Sequence, residues 1–368
     1  MKKVRHLLGI SGGKDSGALA IYMKDKYPDL DIEYYTCDTG KELEETYELI
    51  NNLENYLGKK VTLLQGAPGS NEDPFDHFLK MYGGYLPSSN ARWCTKKLKI
   101  EPFEKFVGED LVISYVGIRG DEEREGYISK KSNIQSIFPF RKNIWSEDVI
   151  KKVLANNQIP RILEIFNQIG SETKSERFLE LLEQPISPNF PQNQKLNLLL
   201  DTDIKVFNAI VFEFMKETDY PLATEESFAL IDNDEVLIRE DIFRILRESG
   251  VGVPDYYNKK DFEINGQKGQ YARSRSGCFF CFFQQKIEWV WLFEQHPDRF
   301  AKAMEYEKDG YTWMQSETLE ELIRPERIQQ VKEEYLKRTS RQASKIKSPY
   351  LLDILEEAEG EGCASCFI

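Results

Sequence analysis

The chain has 368 residues, enough for one large domain with an insertion or for two domains. Hydrophobic residues make up 40% and charged residues 30%, an ordinary balance for a soluble globular protein, and no apolar run approaches the length of a membrane span. The net charge of −13 argues against a chain that wraps nucleic acid unaided, and three scattered histidines, His6, His77 and His296, argue against a histidine-based metal centre.

The first apolar run, Val4 to Ile10, reads as a strand. It begins directly after Met1-Lys2-Lys3, which leaves no room for a signal peptide, so a cytoplasmic protein is expected. The run leads into Ser11-Gly12-Gly13-Lys14-Asp15-Ser16 and then a helical stretch, Gly17 to Met23. A glycine turn at a helix N-terminus presents unpaired backbone N–H groups, and the helix dipole favours an anion there. Ser11 and Ser16 add hydroxyls and Lys14 adds charge. Asp15 is an odd neighbour for an anion unless Mg²⁺ or a helix-capping role offsets it. The spacing is not that of a Walker loop, which needs four residues between its glycine and Gly-Lys-Ser/Thr.

Asp31 to Cys37 reads as the second strand, ending at Asp38-Thr39-Gly40, with Glu44 to Ile50 a helix. Lys60 to Leu64 is the third strand. This alternation predicts an α/β fold with a doubly wound, mainly parallel sheet, whose ligand sits beyond the carboxyl ends of the strands. Gly66 to Asn90, rich in Gly, Pro and Asn, reads as a rim loop. Arg92-Trp93-Cys94-Thr95-Lys96-Lys97-Leu98-Lys99-Ile100-Glu101-Pro102 surrounds one cysteine with four cations, a field that lowers a thiol pKa and suits a thiolate, a cluster ligand or an anionic substrate. Leu111 to Val116 is another buried strand, running into Gly117-Ile118-Arg119-Gly120-Asp121-Glu122. Arg119 at a strand's carboxyl end suits a phosphate, while a salt bridge to Asp121 or Glu122 is the structural alternative.

From Ile150 to about Glu235 the apolar positions follow helical spacing, at Ile162, Ile165, Phe166 and Ile169, at Phe178, Leu181 and Leu182, and at Val206, Phe207, Ile210, Val211 and Phe214. A Pro- and Asn-rich break at 185–193 divides them. Arg239 to Leu246 then echoes Ser146 to Val149 and its continuation. Next comes Arg273-Ser274-Arg275-Ser276-Gly277-Cys278-Phe279-Phe280-Cys281, a turn that presents two sulfurs to one metal or cluster, with phenylalanines to exclude water. The tail is charged and helical from Arg324 to Lys347, read as a solvated helix, and ends in a second pair, Cys363 and Cys366.

The hexapeptide Ser11–Ser16 resembles the PP-loop of the ATP pyrophosphatases. Arg-Trp-Cys-Thr, Gly117-Ile118-Arg119 and the Arg-x-Gly-Cys-x-x-Cys turn narrow the likeness to proteins built like phosphoadenosine phosphosulfate (PAPS) reductase. With its intact loop and the Cys94 and Cys278/Cys281 set, the chain resembles the DndC/SspD-type ATP pyrophosphatases of DNA phosphorothioation over Val4 to Trp145 and Val236 to about Glu307. The resemblance implies an adenine nucleotide alpha hydrolase-like fold. It divides the chain into a nucleotide-binding α/β domain at 1–145, a helical insertion at 146–235, a cysteine-bearing continuation at 236–310 and a helical tail at 311–368. It implies that Ser11, Gly12, Gly13, Lys14, Asp15, Ser16, Asp38, Gly40, Gly117 and Arg119 bind ATP with Mg²⁺, and that Lys14, Asp15 and Arg119 are catalytic. Cys94, Cys278 and Cys281 would hold a [4Fe–4S] cluster, with Cys37, Cys363, Cys366 or none as fourth ligand. The implied partners are a cysteine desulfurase as sulfur donor and DNA-handling subunits, with DNA engaged indirectly. A PAPS or adenylyl-sulfate reductase and a tRNA thiolation enzyme are the alternatives.

Overall fold

The computed structural model describes residues 3–122, 129, 131–169, 175–308 and 310–343, with side chains described up to Thr339. Cys363, Cys366, Lys345 and Lys347 lie outside the described residues.

Five parallel strands form the central sheet: β1 (Arg5–Gly9), β2 (Ile32–Asp38), β3 (Val61–Gln65), β4 (Val112–Tyr115) and β5 (Ile134–Ile137). Their order is β3-β2-β1-β4-β5, so the winding reverses between β1 and β4. A sheet covered on both faces needs strands apolar on both sides, and the central β1 carries Leu7 and Leu8 fully buried. The doubly wound expectation therefore holds. β5 went unread in the sequence because Ile134 to Ile137 is short and follows a polar stretch.

Helix α1 (Lys14–Lys26) follows β1, and every residue from Lys14 to Met23 is buried. A helix apolar all round must be covered on all sides. The sheet covers one side, α2 (Glu44–Leu57) another, and the helix Arg239–Glu248 a third, where Leu246 and Leu53 flank Gly17. The expected rim loop at 66–90 contains helix α3 (Pro74–Met81), started by Pro74 and buried through Phe75, Phe78 and Leu79. Trp93 to Pro102 is helical, with a π-turn at Lys96–Ile100 leading into α4 (Glu101–Val107).

The helices of 147–215 do not build a core of their own. One apolar cluster runs from Leu8 and Ile21 through Trp145 and Ile150 to Phe166, Phe178, Phe207 and Val211. Buried amides stitch the seam. Asn208 accepts from Trp145 Nε1 at 2.9 Å, and Asn233 accepts from Tyr22 at 2.8 Å while donating to Pro139 O at 2.8 Å. A second cluster gathers Phe75, Trp93, Phe279, Phe280, Trp289, Trp291 and Trp313 around the cysteine turn. It is flanked by an antiparallel hairpin, β6 (Lys260–Ile264) and β7 (Gln267–Tyr271), closed by Asn265-Gly266 with φ of 50° and 72°. The tail helix Pro325–Ala343 is not simply solvated: Val331 is buried, and Tyr335 and Leu336 pack on the second cluster.

Candidate functional site

The turn after β1 has the strand–glycine–helix geometry expected of an anion cradle. Gly12 adopts φ +71°, and a Cβ there would lie 2.2 Å from Thr46 Cγ2, so only glycine fits. Gly13 caps α1 in extended conformation. The serines hold the turn itself: Ser11 N–H donates to Ser16 Oγ at 3.2 Å, and Ser16 Oγ donates to Gly13 O at 3.2 Å. Tyr256 donates to Gly12 O at 2.8 Å, and Lys14 N–H donates to Tyr257 OH at 3.3 Å.

Asp15 is offset by two cations. It is 4% exposed and accepts from Lys14 Nζ at 3.0 Å and Arg119 Nη1 at 2.8 Å. Burial opposes its charge, but Lys14 and Arg119 outweigh burial and hold its carboxyl below the usual range. Burial pushes the Lys14 ammonium down despite Asp15. Arg119 also pairs with Asp121 at 2.8 Å and Glu122 at 2.6 Å. The salt-bridge reading of Arg119 is the one seen, to Asp121 and Glu122, and to it is added a bond to Asp15 in the turn after β1. The loop after β4 reaches Asp15 because Gly117 lies against its backbone, where a Cβ would be 2.9 Å from Asp15 O.

A cleft of about 250 Å³ opens beyond the carboxyl ends of β1 and β2. Its walls include Ser11, Asp38, Glu42, Thr46, Lys99 and Gly277. Val61 and Leu63 of β3 also line it, so the cleft lies on the β1-β2-β3 side of the sheet rather than at the reversal between β1 and β4. Asp38 accepts from Gly40 N–H at 2.9 Å and from Tyr47 at 3.0 Å, which shapes the turn after β2. Glu42 is drawn up from the usual carboxylate range, first by burial and also by Asp38. Sequence reasoning missed Glu42, which lies in the turn before α2, and Tyr47, on its first turn.

Cys278 Sγ lies 3.1 Å from Thr39 Oγ1, and Phe279 N–H donates to Lys41 O at 2.9 Å, so the cysteine turn docks on the turn after β2. Burial raises the Cys278 thiol well above its ordinary value, and raises Cys37 to about 12. Cys37 Sγ donates to Lys99 O at 3.7 Å. Cys94 packs against the same apolar cluster as Cys278. Among the described residues no group of three or more His, Cys, Asp or Glu is arranged to hold a metal ion. Among the described residues, then, Cys94, Cys278 and Cys281 are not gathered into one such group.

The same turn carries side chains whose role the sequence left unread. Arg273 is 2% exposed, and its Nε and Nη1 have no hydrogen-bond partner among the described residues. All three guanidinium nitrogens of Arg275 are buried and unpartnered, as are both amide atoms of Gln284.

Residues 5–168 match the family model described as the phosphoadenosine phosphosulfate reductase domain. An uncharacterized protein of Methanocaldococcus jannaschii is 35% identical over 146 residues, 36% of this chain and 28% of that protein. The tRNA-specific 2-thiouridylases MnmA of Mannheimia succiniciproducens and Haemophilus ducreyi are each 27% identical, over 33% and 31% of this chain. The matches span 34% and 32% of those enzymes, so the chain covers about a third of the curated relatives it resembles. The crystal structure of PAPS reductase from Candida auris, in its phosphate complex, aligns over 39% of this chain and 67% of that one, with 19% identity and a TM-score of 0.29. The matched segment carries the Ser11–Ser16 turn, Asp38, Cys94 and Arg119. Among the described residues no helix is long and apolar enough to cross a membrane.

Proposed function

We propose that the chain is an ATP pyrophosphatase that adenylates an acceptor for sulfur insertion. The observation that carries this reading is the intact Ser11–Ser16 turn at the start of α1, opening onto the cleft walled by Ser11 and Asp38. ATP, entering with Mg²⁺ as part of the substrate, would set its phosphates on the turn and its nucleoside toward Asp38 and Gly40. An acceptor oxygen attacks the α-phosphorus, the α–β bond breaks, and pyrophosphate leaves. A nucleophile at the oxidation level of hydrosulfide then displaces AMP, taking the acceptor oxygen away as part of AMP. No electrons are gained or lost in either step. The protein supplies position and charge: Lys14 and Arg119 meet the developing negative charge, and Asp15 holds both in place.

The acceptor we favour is a DNA backbone phosphate, with a cysteine desulfurase supplying persulfide sulfur, a dithiol reductant releasing it as hydrosulfide and ending as a disulfide, and partner subunits holding the DNA, because the net charge of −13 leaves little electrostatic affinity for DNA in this chain alone. tRNA thiolation is the second reading, supported by the two MnmA matches. ATP labelled at the α and γ positions, incubated with the protein and either duplex DNA or tRNA, tests both. AMP and pyrophosphate support the proposal, and the nucleic acid that gains sulfur names the acceptor. Release of sulfite from an activated sulfate, with ATP left intact, would replace it with a reductase.

A further inference from the structure

We infer that Arg273 and Arg275 form a second oxyanion subsite beside the phosphate loop, one that takes a phosphate- or sulfate-type group. A guanidinium removed from water without a carboxylate or carbonyl to bond is strongly disfavoured, and native structures rarely leave one so. Here Arg275 has no partner at all, and Arg273, two residues before it, has one. Arg273 donates only through Nη2, to Cys278 O at 3.1 Å, and its guanidinium stacks 5.8 Å from the Tyr256 ring. Arg275 lies 5.9 Å from the Phe283 ring, and the Arg92 guanidinium stands 5.3 Å from the same ring. Positive groups thus converge on one aromatic side chain.

The nearby carboxylate does not answer them. Glu288 accepts from Ser274 N–H at 2.6 Å and Ser274 Oγ at 2.7 Å through one oxygen, and from Gln285 N–H at 2.9 Å through the other. Neither Arg273 nor Arg275 enters an ion pair among the described residues. Gln284, 7% exposed, adds an unpartnered amide to the same turn.

The position ties the subsite to the cleft. Ser276, next to Arg275, donates to Ser11 O at 3.4 Å, and Gly277 lines the cleft together with Ser11. Tyr256 bridges the other end, with its ring under Arg273 and its hydroxyl on Gly12 O. An oxyanion here sits next to the nucleotide phosphates and accepts the forked N–H groups that arginine offers. Two sources share this chemistry: the phosphate of the acceptor and the pyrophosphate end of the nucleotide. The subsite itself does not depend on ATP being cleaved.

Thermal unfolding of the full chain with inorganic phosphate is the test, run alone and with saturating α,β-methylene-ATP. The wild-type midpoint should rise with phosphate, and amide exchange across 274–281 should slow. Arg275→Met should melt at or above the wild type without phosphate, since no partner is lost, and should weaken phosphate binding by about tenfold or more. Arg273→Met should weaken it likewise. A phosphate effect that persists with the analogue bound assigns the subsite to the acceptor; mutual exclusion, still lost in Arg275→Met, assigns it to the nucleotide. Failure of the analogue to bind would count against the ATP reading and leave the subsite standing. Unchanged phosphate affinity in both variants, absence of slowed exchange in the wild type, or loss of stability in both variants without phosphate would each overturn the inference.

Discussion

The ion cluster inside the phosphate loop makes a quantitative prediction. Lys14 and Asp15 are 6% and 4% exposed, with Nζ and Oδ2 3.0 Å apart. At an effective dielectric constant of about 20, two unit charges at that distance attract by about 5 kcal/mol before desolvation is subtracted. Desolvation is substantial, because burial alone drives the Lys14 ammonium down. Asp15→Asn keeps the shape and removes the charge. Arg119 keeps Asp121 and Glu122, so the cation left stranded is Lys14. Breaking such a pair from one side should lower stability by about 3 kcal/mol. Lys14→Met should cost about 1 kcal/mol, because Arg119 still neutralises Asp15. The double variant strands neither group and should lose about 2 kcal/mol rather than the sum of about 4, a coupling of about 2 kcal/mol. Urea unfolding followed by tryptophan fluorescence measures all four corners of the cycle. Additivity within about 0.5 kcal/mol would refute the claim that Asp15 is present to hold Lys14.

Further predictions follow from the same geometry. Gly12→Ala should abolish nucleotide binding by isothermal titration calorimetry, because its Cβ would strike Thr46 Cγ2 and φ is +71°; retained binding would show that the turn yields. Glu317 is held at about 2, first by its hydrogen bond to Arg327 and also by Lys286. Its folded value lies below the ordinary 4.5, so its stabilisation is complete above about pH 4.5 and is lost as pH falls toward 2. Glu317→Gln should flatten the acid side of the stability profile over that window, and an unchanged slope would contradict the assignment. Cys37, raised to about 12 by burial, should react with iodoacetamide at pH 8 far more slowly in the folded chain than in urea, read by mass spectrometry. Equal rates would place the thiol in a more open setting.

Most of the sheet and the turn after β1 were legible because local signals agreed with the fold: apolar runs, paired glycines and helical spacing each declare themselves within a short stretch of chain. What the sequence hid depended on distance along the chain. Asp15 looked misplaced until Arg119, 104 residues away, was seen to bond it. The hairpin at 260–271 carried a local signal in Asn265-Gly266, but its strands are polar on the exposed face and do not alternate cleanly. The helices of 147–215 read correctly as helices, yet their periodicity could not say that they would share Trp145 and Phe207 with the core of the sheet. Arg273 and Arg275 stood in plain view beside the cysteines. Their burial without partners is a property of packing alone, and no spacing in the sequence encodes it.

The central claim is that this loop cleaves ATP between its α and β phosphates. Incubation of the full chain with Mg²⁺ and ATP labelled at the α and γ positions, with product identification, addresses it directly. The account predicts labelled AMP together with labelled pyrophosphate, both lost in Asp15→Asn. Labelled ADP and inorganic phosphate, or intact ATP with sulfite released from an activated sulfate, would contradict it.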